Sequence, residues 1–108
     1  MALTHDASAS VYSALITINR EAFARAQYEV AYHALAAALH SACDDGDHAR
    51  VHDIQGIALR QGAWIDTHRP EHRLSSASAK ARGQPSLFSM LERQANAAGH
   101  IDFATRHR

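Results

Sequence analysis

One cysteine and two prolines in 108 residues, with five glycines, one tryptophan, three tyrosines and three phenylalanines, exclude several kinds of protein at once. The lone Cys43 has no intramolecular partner, so no disulfide framework supports the fold and the chain must rest on a packed core. Aromatic and β-branched residues are too few to favour strands. No apolar run approaches the ~20 residues that a membrane-spanning helix needs. The opening "MALTHDASAS" has neither the basic start nor the apolar centre of a secretion signal, so a cytoplasmic setting is the expectation. Eleven Lys and Arg balance eleven Asp and Glu, leaving no overall field to recruit nucleic acid, anionic lipid or an acidic substrate. The phosphate-loop, dinucleotide and nucleophile-elbow signatures are also missing, so the expectation is a protein that is not an enzyme.

Alanine is what the chain has instead. Its 23 alanines combine the best helix propensity with no side-chain entropy to lose. The expected fold is all-α: one domain of three or four helices, either a small helical bundle or a repeat-like helical hairpin with an additional C-terminal helix. At this length roughly 65% of the unfolded chain's surface becomes buried, which is enough for one core.

The helical core is expected at about residues 7–66, with Asp6 as first N-cap. Val11, Leu15, Ile18 and Ala22 recur at helical spacing and predict a buried face, with Tyr12, Ile16 and Phe23 on a second one. From Arg20 to Cys43 neither Gly nor Pro interrupts, and Glu21, Arg25, Glu29, His33 and His40 form a charged stripe, a pattern suited to one long helix with Arg25 pairing to its glutamates. At "CDDGDH" the pattern stops: Gly46 tolerates a left-handed backbone and the aspartates favour helix starts. The next helix is predicted over about 47–66 with Val51, Ile54, Ala58 and Ile65 inward, while Gly56 and Gly62 mark either close helix approach or, at Gly62, a break. Trp64 reads as core, and Tyr28 and Tyr32 as either core or interface anchors. Residues 67–85 carry Pro70, Gly83, Pro85, clustered serines and four basic residues against Glu71, the composition of a long basic loop. Pro85 and Ser86 then open a helix over about 86–98, with Leu87, Met90, Leu91, Ala95 and Ala98 inward and Gly99 as its stop; 99–108 is left as a tail in which Ile101 and Phe103 dock or fray.

A weak internal repeat runs through the first two thirds. "FARAQYEV" at 23–30 and "LRQGAWID" at 59–66 align Ala26 with Gly62 and Tyr28 with Trp64 at an offset of 36 residues. Residues 11–66 resemble a tetratricopeptide repeat hairpin. Leu15, Ile18 and Ala22 stand at its first-helix core positions. "QYEVAYHALAAAL" looks like its second helix, with Ala31, Leu35 and Ala38 in the small, large, small pattern, and Val51, Ile54, Ala58 and a turn-like Gly62 begin a second unit. The resemblance implies helix-turn-helix units with a turn near residue 26, so whether 7–43 is one helix or two stays open.

"HSACDDGDHARVH", residues 40–52, holds the densest set of metal-ligating side chains. His48 and His52 share a helix face at i, i+4, and His40 and Cys43 sit at i, i+3 on the helix before. If the turn between them brings these ends together, the donors suit zinc. The same letters also describe a capped turn, with aspartates at a helix start. Arg69, Arg73, Lys80 and Arg82 form the one local patch able to hold a phosphate backbone, although no aromatics interleave for base stacking. Architecture favours a third use: an interaction or scaffolding module whose helix faces bind a protein partner or a second copy of the chain.

Overall fold

The computed structural model describes residues 3–106, with side chains from Ser10 to Gly99. It is all-α: α1 (Leu3–Ala24), α2 (Tyr28–Asp44), α3 (His48–His68), the short α4 (Ser76–Ala81) and α5 (Leu87–Arg106), with no strand among the described residues. α1 lies along α2, α3 lies along α5, and α2 packs on α3 to join the two pairs. The result is a plate, 49 × 34 × 17 Å along its principal axes.

The uninterrupted run from Arg20 to Cys43 is two helices. α1 ends where Ala26 turns left-handed at φ 62°, Gln27 N–H reaches back to the Ala22 carbonyl at 2.9 Å, and Ala26 N–H reaches Phe23 at 3.0 Å. This pair of bonds is a Schellman closure, which satisfies carbonyls the helix end leaves open. The chain uses it twice more, at Gly46, where Asp47 N–H bonds the Ala42 carbonyl, and at Gly83, where Gln84 N–H bonds Ala79. Glycine stands at the left-handed position in those two and alanine in the first, so the first is strained by its Cβ. Arg25 falls in this turn, and Glu29 pairs with Arg73 and His33, not with Arg25.

α3 opens as expected at Asp47, whose carboxylate accepts the Arg50 N–H at 3.1 Å. It runs unbroken through Gly62, and the glycine serves close approach: a Cβ there would lie 3.2 Å from the Phe88 Cβ on α5. Residues 67–85 are a packed segment, not a solvated loop. Leu74 and Ala79 are buried in it, Ser75 caps α4, and the Asp66 carboxylate accepts both the N–H and the hydroxyl of Ser76 at 2.7 Å each. α5 begins with Ser86, whose hydroxyl accepts the Ser89 N–H at 3.1 Å, and continues past Gly99 to Arg106. With no left-handed turn at Gly99, that residue only weakens the helix by about 1 kcal/mol. Likewise Asp6 lies inside α1, which starts at Leu3. The side chains of Ile101 and Phe103 lie outside the described residues.

Two apolar clusters fill the plate. The larger joins Ile16, Leu35, Ala38, Leu39, Ala42, Val51, Ile54, Ala58, Leu91 and Ala95. The smaller gathers Tyr28, Ile65, Leu74 and Phe88, with Phe23 packed against it. The inward residues of α1 are Tyr12, Leu15, Ile16, Asn19, Ala22 and Phe23, whereas Val11 and Ile18 are exposed. On α5 the inward residues are Phe88, Leu91 and Ala95, while Met90 points outward. Trp64 sits at the rim, with Phe23 and Tyr28 against it on one side and His68 stacked at 4.5 Å.

Asn19 is fully buried, yet polar. Its amide nitrogen donates to the Ala31 carbonyl of α2 at 2.8 Å and to Gln61 Oε1 of α3 at 3.0 Å, and Gln61 Nε2 donates back to Asn19 Oδ1 at 2.7 Å. Replacing Asn19 by Ala leaves the Gln61 amide buried without this partner, and a loss of about 2 kcal/mol is expected in urea denaturation. Ala26→Gly works in the other direction: relief of the left-handed strain is expected to add about 1 kcal/mol, with an unchanged m-value.

Candidate functional site

The turn at 44–47 organises its charges around one arginine. Arg50 places Nε 3.3 Å from the Asp47 carboxylate and Nη1 3.8 Å from Asp45, while its guanidinium lies 4.6 Å from the centre of the Tyr12 ring. This arrangement ties the α2–α3 turn to α1. Burial pushes the Tyr12 hydroxyl above the usual tyrosine range, Asp53 and Asp47 add to the rise, and Arg50 and Arg20 oppose it.

The metal-ligating residues take places around this turn. His40 and Cys43 are exposed at the end of α2, His48 is the half-buried first residue of α3, and His52 is exposed one turn later. Among the described residues, no three His, Cys, Asp or Glu side chains are grouped to hold a metal ion. The reversal at Gly46 thus makes a capped corner in which the aspartates serve Arg50 and the start of α3.

The basic residues of 67–85 are distributed by the fold of that segment. Arg69 donates to the His68 carbonyl at 3.2 Å, Arg73 pairs with Glu29 of α2, and Arg82 donates to the Arg73 carbonyl at 2.9 Å. Lys80 is exposed on α4. The bond from Arg82 brings Arg73 and Arg82 to the same groove, about 330 Å³, where Gln84 joins them and Leu74, Pro85 and Leu87 supply apolar wall.

A second groove, about 140 Å³, runs between α3 and α5. Ala58, Gly62, Ala63 and Asp66 line its α3 side and Phe88, Ser89 and Glu92 its α5 side, with Leu59, 62% exposed, at its edge. The small side chains keep it open, because bulk at Gly62 would meet Phe88. The two grooves meet the first turn of α5 on consecutive residues, Leu87 and Phe88. The basic patch read from the sequence supplies Arg73 and Arg82 to the first groove, whereas the second is built from α3 and α5 and was signalled only by the possibility of close approach at Gly62.

Compared with models of known families, with curated proteins and with solved structures, the chain finds no match in any of the three. Among the described residues no helix is long and apolar enough to cross a membrane.

The raised Tyr12 titration has a direction that can be tested. The folded state holds the phenolic proton more tightly than the unfolded chain, whose tyrosine titrates near 10, so the stability linked to Tyr12 is fully present below about pH 10 and is lost as pH rises through the folded value. Urea midpoints measured across the alkaline range are expected to fall more steeply for the wild type than for Tyr12→Phe.

Proposed function

We propose that the protein is a non-enzymatic interaction module that holds a segment of a partner protein in the groove between α3 and α5. The observation that carries this reading is Leu59, a large apolar side chain 62% exposed beside a trough of small residues. Single exposed leucines are ordinary on protein surfaces. One beside a trough between two packed helices matches how amphipathic helical segments are received: anchors at i, i+3 and i+4 need small residues opposite them and an apolar contact at the edge.

Leu59→Asp tests the proposal because the position is exposed and the substitution should leave the fold intact. Wild-type and variant protein, matched by thermal melting, are immobilised and exposed to lysate of the source cells. A protein retained by the wild type and reduced at least about tenfold on the variant is the expected result. The same proteins retained equally by both would overturn the proposal.

A further inference from the structure

We infer that the groove beside α4 is a receptor for an acidic segment of a partner protein, with Arg73 and Arg82 each gripping a carboxylate and an intervening apolar side chain resting on Pro85 and Leu87. The inference rests on the interaction-module reading for the existence of a protein partner, but it concerns a different surface.

Charge complementarity carries it. Two guanidiniums line a groove of about 330 Å³ whose described lining contains no carboxylate, on a segment where four basic residues stand against Glu71. Both arginines are held in place: Arg82 by the Arg73 carbonyl at 2.9 Å, and Arg73 by its ion pair with Glu29. A guanidinium has five N–H donors arranged as a fork, so one bond that fixes its orientation leaves it able to receive a carboxylate in two-point fashion. The segment that carries them is itself anchored, through Asp66 to Ser76 and through burial of Leu74. Neither arginine therefore has to be ordered from a flexible loop when a ligand arrives, which removes a cost that binding otherwise meets. The Glu29 pair shows the chemistry already in use, because a carboxylate from another helix sits on Arg73.

The apolar half of the lining decides between classes of anion. Pro85 and Leu87 have no counterpart in a sugar-phosphate chain. Binding a nucleic-acid backbone depends on several phosphates neutralised in a row, and single strands are usually held by aromatic platforms, whereas the described lining holds two arginines and no aromatic ring. An acidic peptide with an apolar residue between its carboxylates matches both halves of the groove.

The test uses the full chain and a short fluorescent peptide of Asp and Glu residues around a central Leu, with the Asn and Gln version as control, read by fluorescence anisotropy at about 0.15 M salt, where charges more than about 8 Å away are largely screened. The acidic peptide is expected to bind and the amide version not to. Affinity should fall at least about tenfold in the Arg73→Gln/Arg82→Gln double variant. It should stay within about twofold in Arg69→Gln/Lys80→Gln, which removes the same charge from outside the groove. Circular dichroism confirms that each variant is folded; should the double Gln variant not fold, Arg73→Lys/Arg82→Lys keeps the charge while removing the forked geometry and should still weaken binding. Equal losses in both double variants, no binding at all, or tighter binding of an oligothymidylate through the same two arginines would each overturn the inference. The outcomes separate the two readings: sensitivity of partner capture to Leu59→Asp with no peptide binding removes the acidic groove and leaves the module, while the reverse result removes the α3–α5 groove alone.

Discussion

A single buried amide pair holds three helices in register. Asn19 of α1 and Gln61 of α3 exchange two hydrogen bonds, and the second proton of the Asn19 amide reaches the Ala31 carbonyl of α2. The surfaces around it explain why the pair matters. α2 buries Ala31, Ala34, Ala38 and Ala42 together with Tyr28, Leu35 and Leu39, and the alanines let backbones approach closely but add few knobs to distinguish one axial offset from another. A slide of α1 along α2 by one turn would keep much of the apolar contact, yet would strand both amides in a dry interior, which is costly. The polar pair thus supplies the specificity that an alanine-rich interface lacks.

The aromatic cluster at the other end depends on the segment between α3 and α5. Leu74 enters beside Tyr28, Ile65 and Phe88, and the backbone that delivers it is pinned on either side: Ser75 donates its hydroxyl to the Pro70 carbonyl at 2.6 Å, and His72 Nδ1 accepts the Leu74 N–H at 3.1 Å while its ring meets Tyr28 edge-on. The segment that completes this core also positions the two arginines of the acidic groove. Function and stability are thereby joined in one short stretch, since whatever loosens Leu74 also displaces Arg73 next to it.

Much of this architecture was legible in the sequence wherever one residue type has one structural use. Gly46 with Asp47 marked the α2–α3 corner correctly, and Ser86 after Pro85 marked the start of α5. The helix class followed from alanine content. The break between α1 and α2 was not legible from periodicity, because the left-handed residue there is Ala26, an alanine in a run that reads as continuous helix. On α1 the two expected faces were right at Tyr12, Leu15, Ile16, Ala22 and Phe23 and wrong at Val11 and Ile18, which are exposed; Asn19 was missed because hydropathy places a polar residue outside, and its burial makes sense only once Gln61 is known to face it. Phe88 was passed over for Met90 for a related reason, since both fit a helical stripe and the choice is made by the space above Gly62. The order of residues 67–85 depends on Asp66 accepting from Ser76, a pairing invisible to local composition. At 40–52 the glycine and aspartates that pointed to a capped turn do cap the α2–α3 corner, and no three potential metal ligands are grouped among the described residues.

The thickness of the plate has a consequence for how well its interior is insulated. At 17 Å through, the molecule is scarcely two helix diameters deep, each being about 10 Å. Every helix therefore has one side on water, and no layer of the core lies more than one helix from bulk solvent. The Asn19–Gln61 bonds owe their strength to a low local dielectric that a single helix maintains on either side. Lifting any one helix admits water to them, so the hydration of the whole interior is governed by the least firmly seated helix and not by the average.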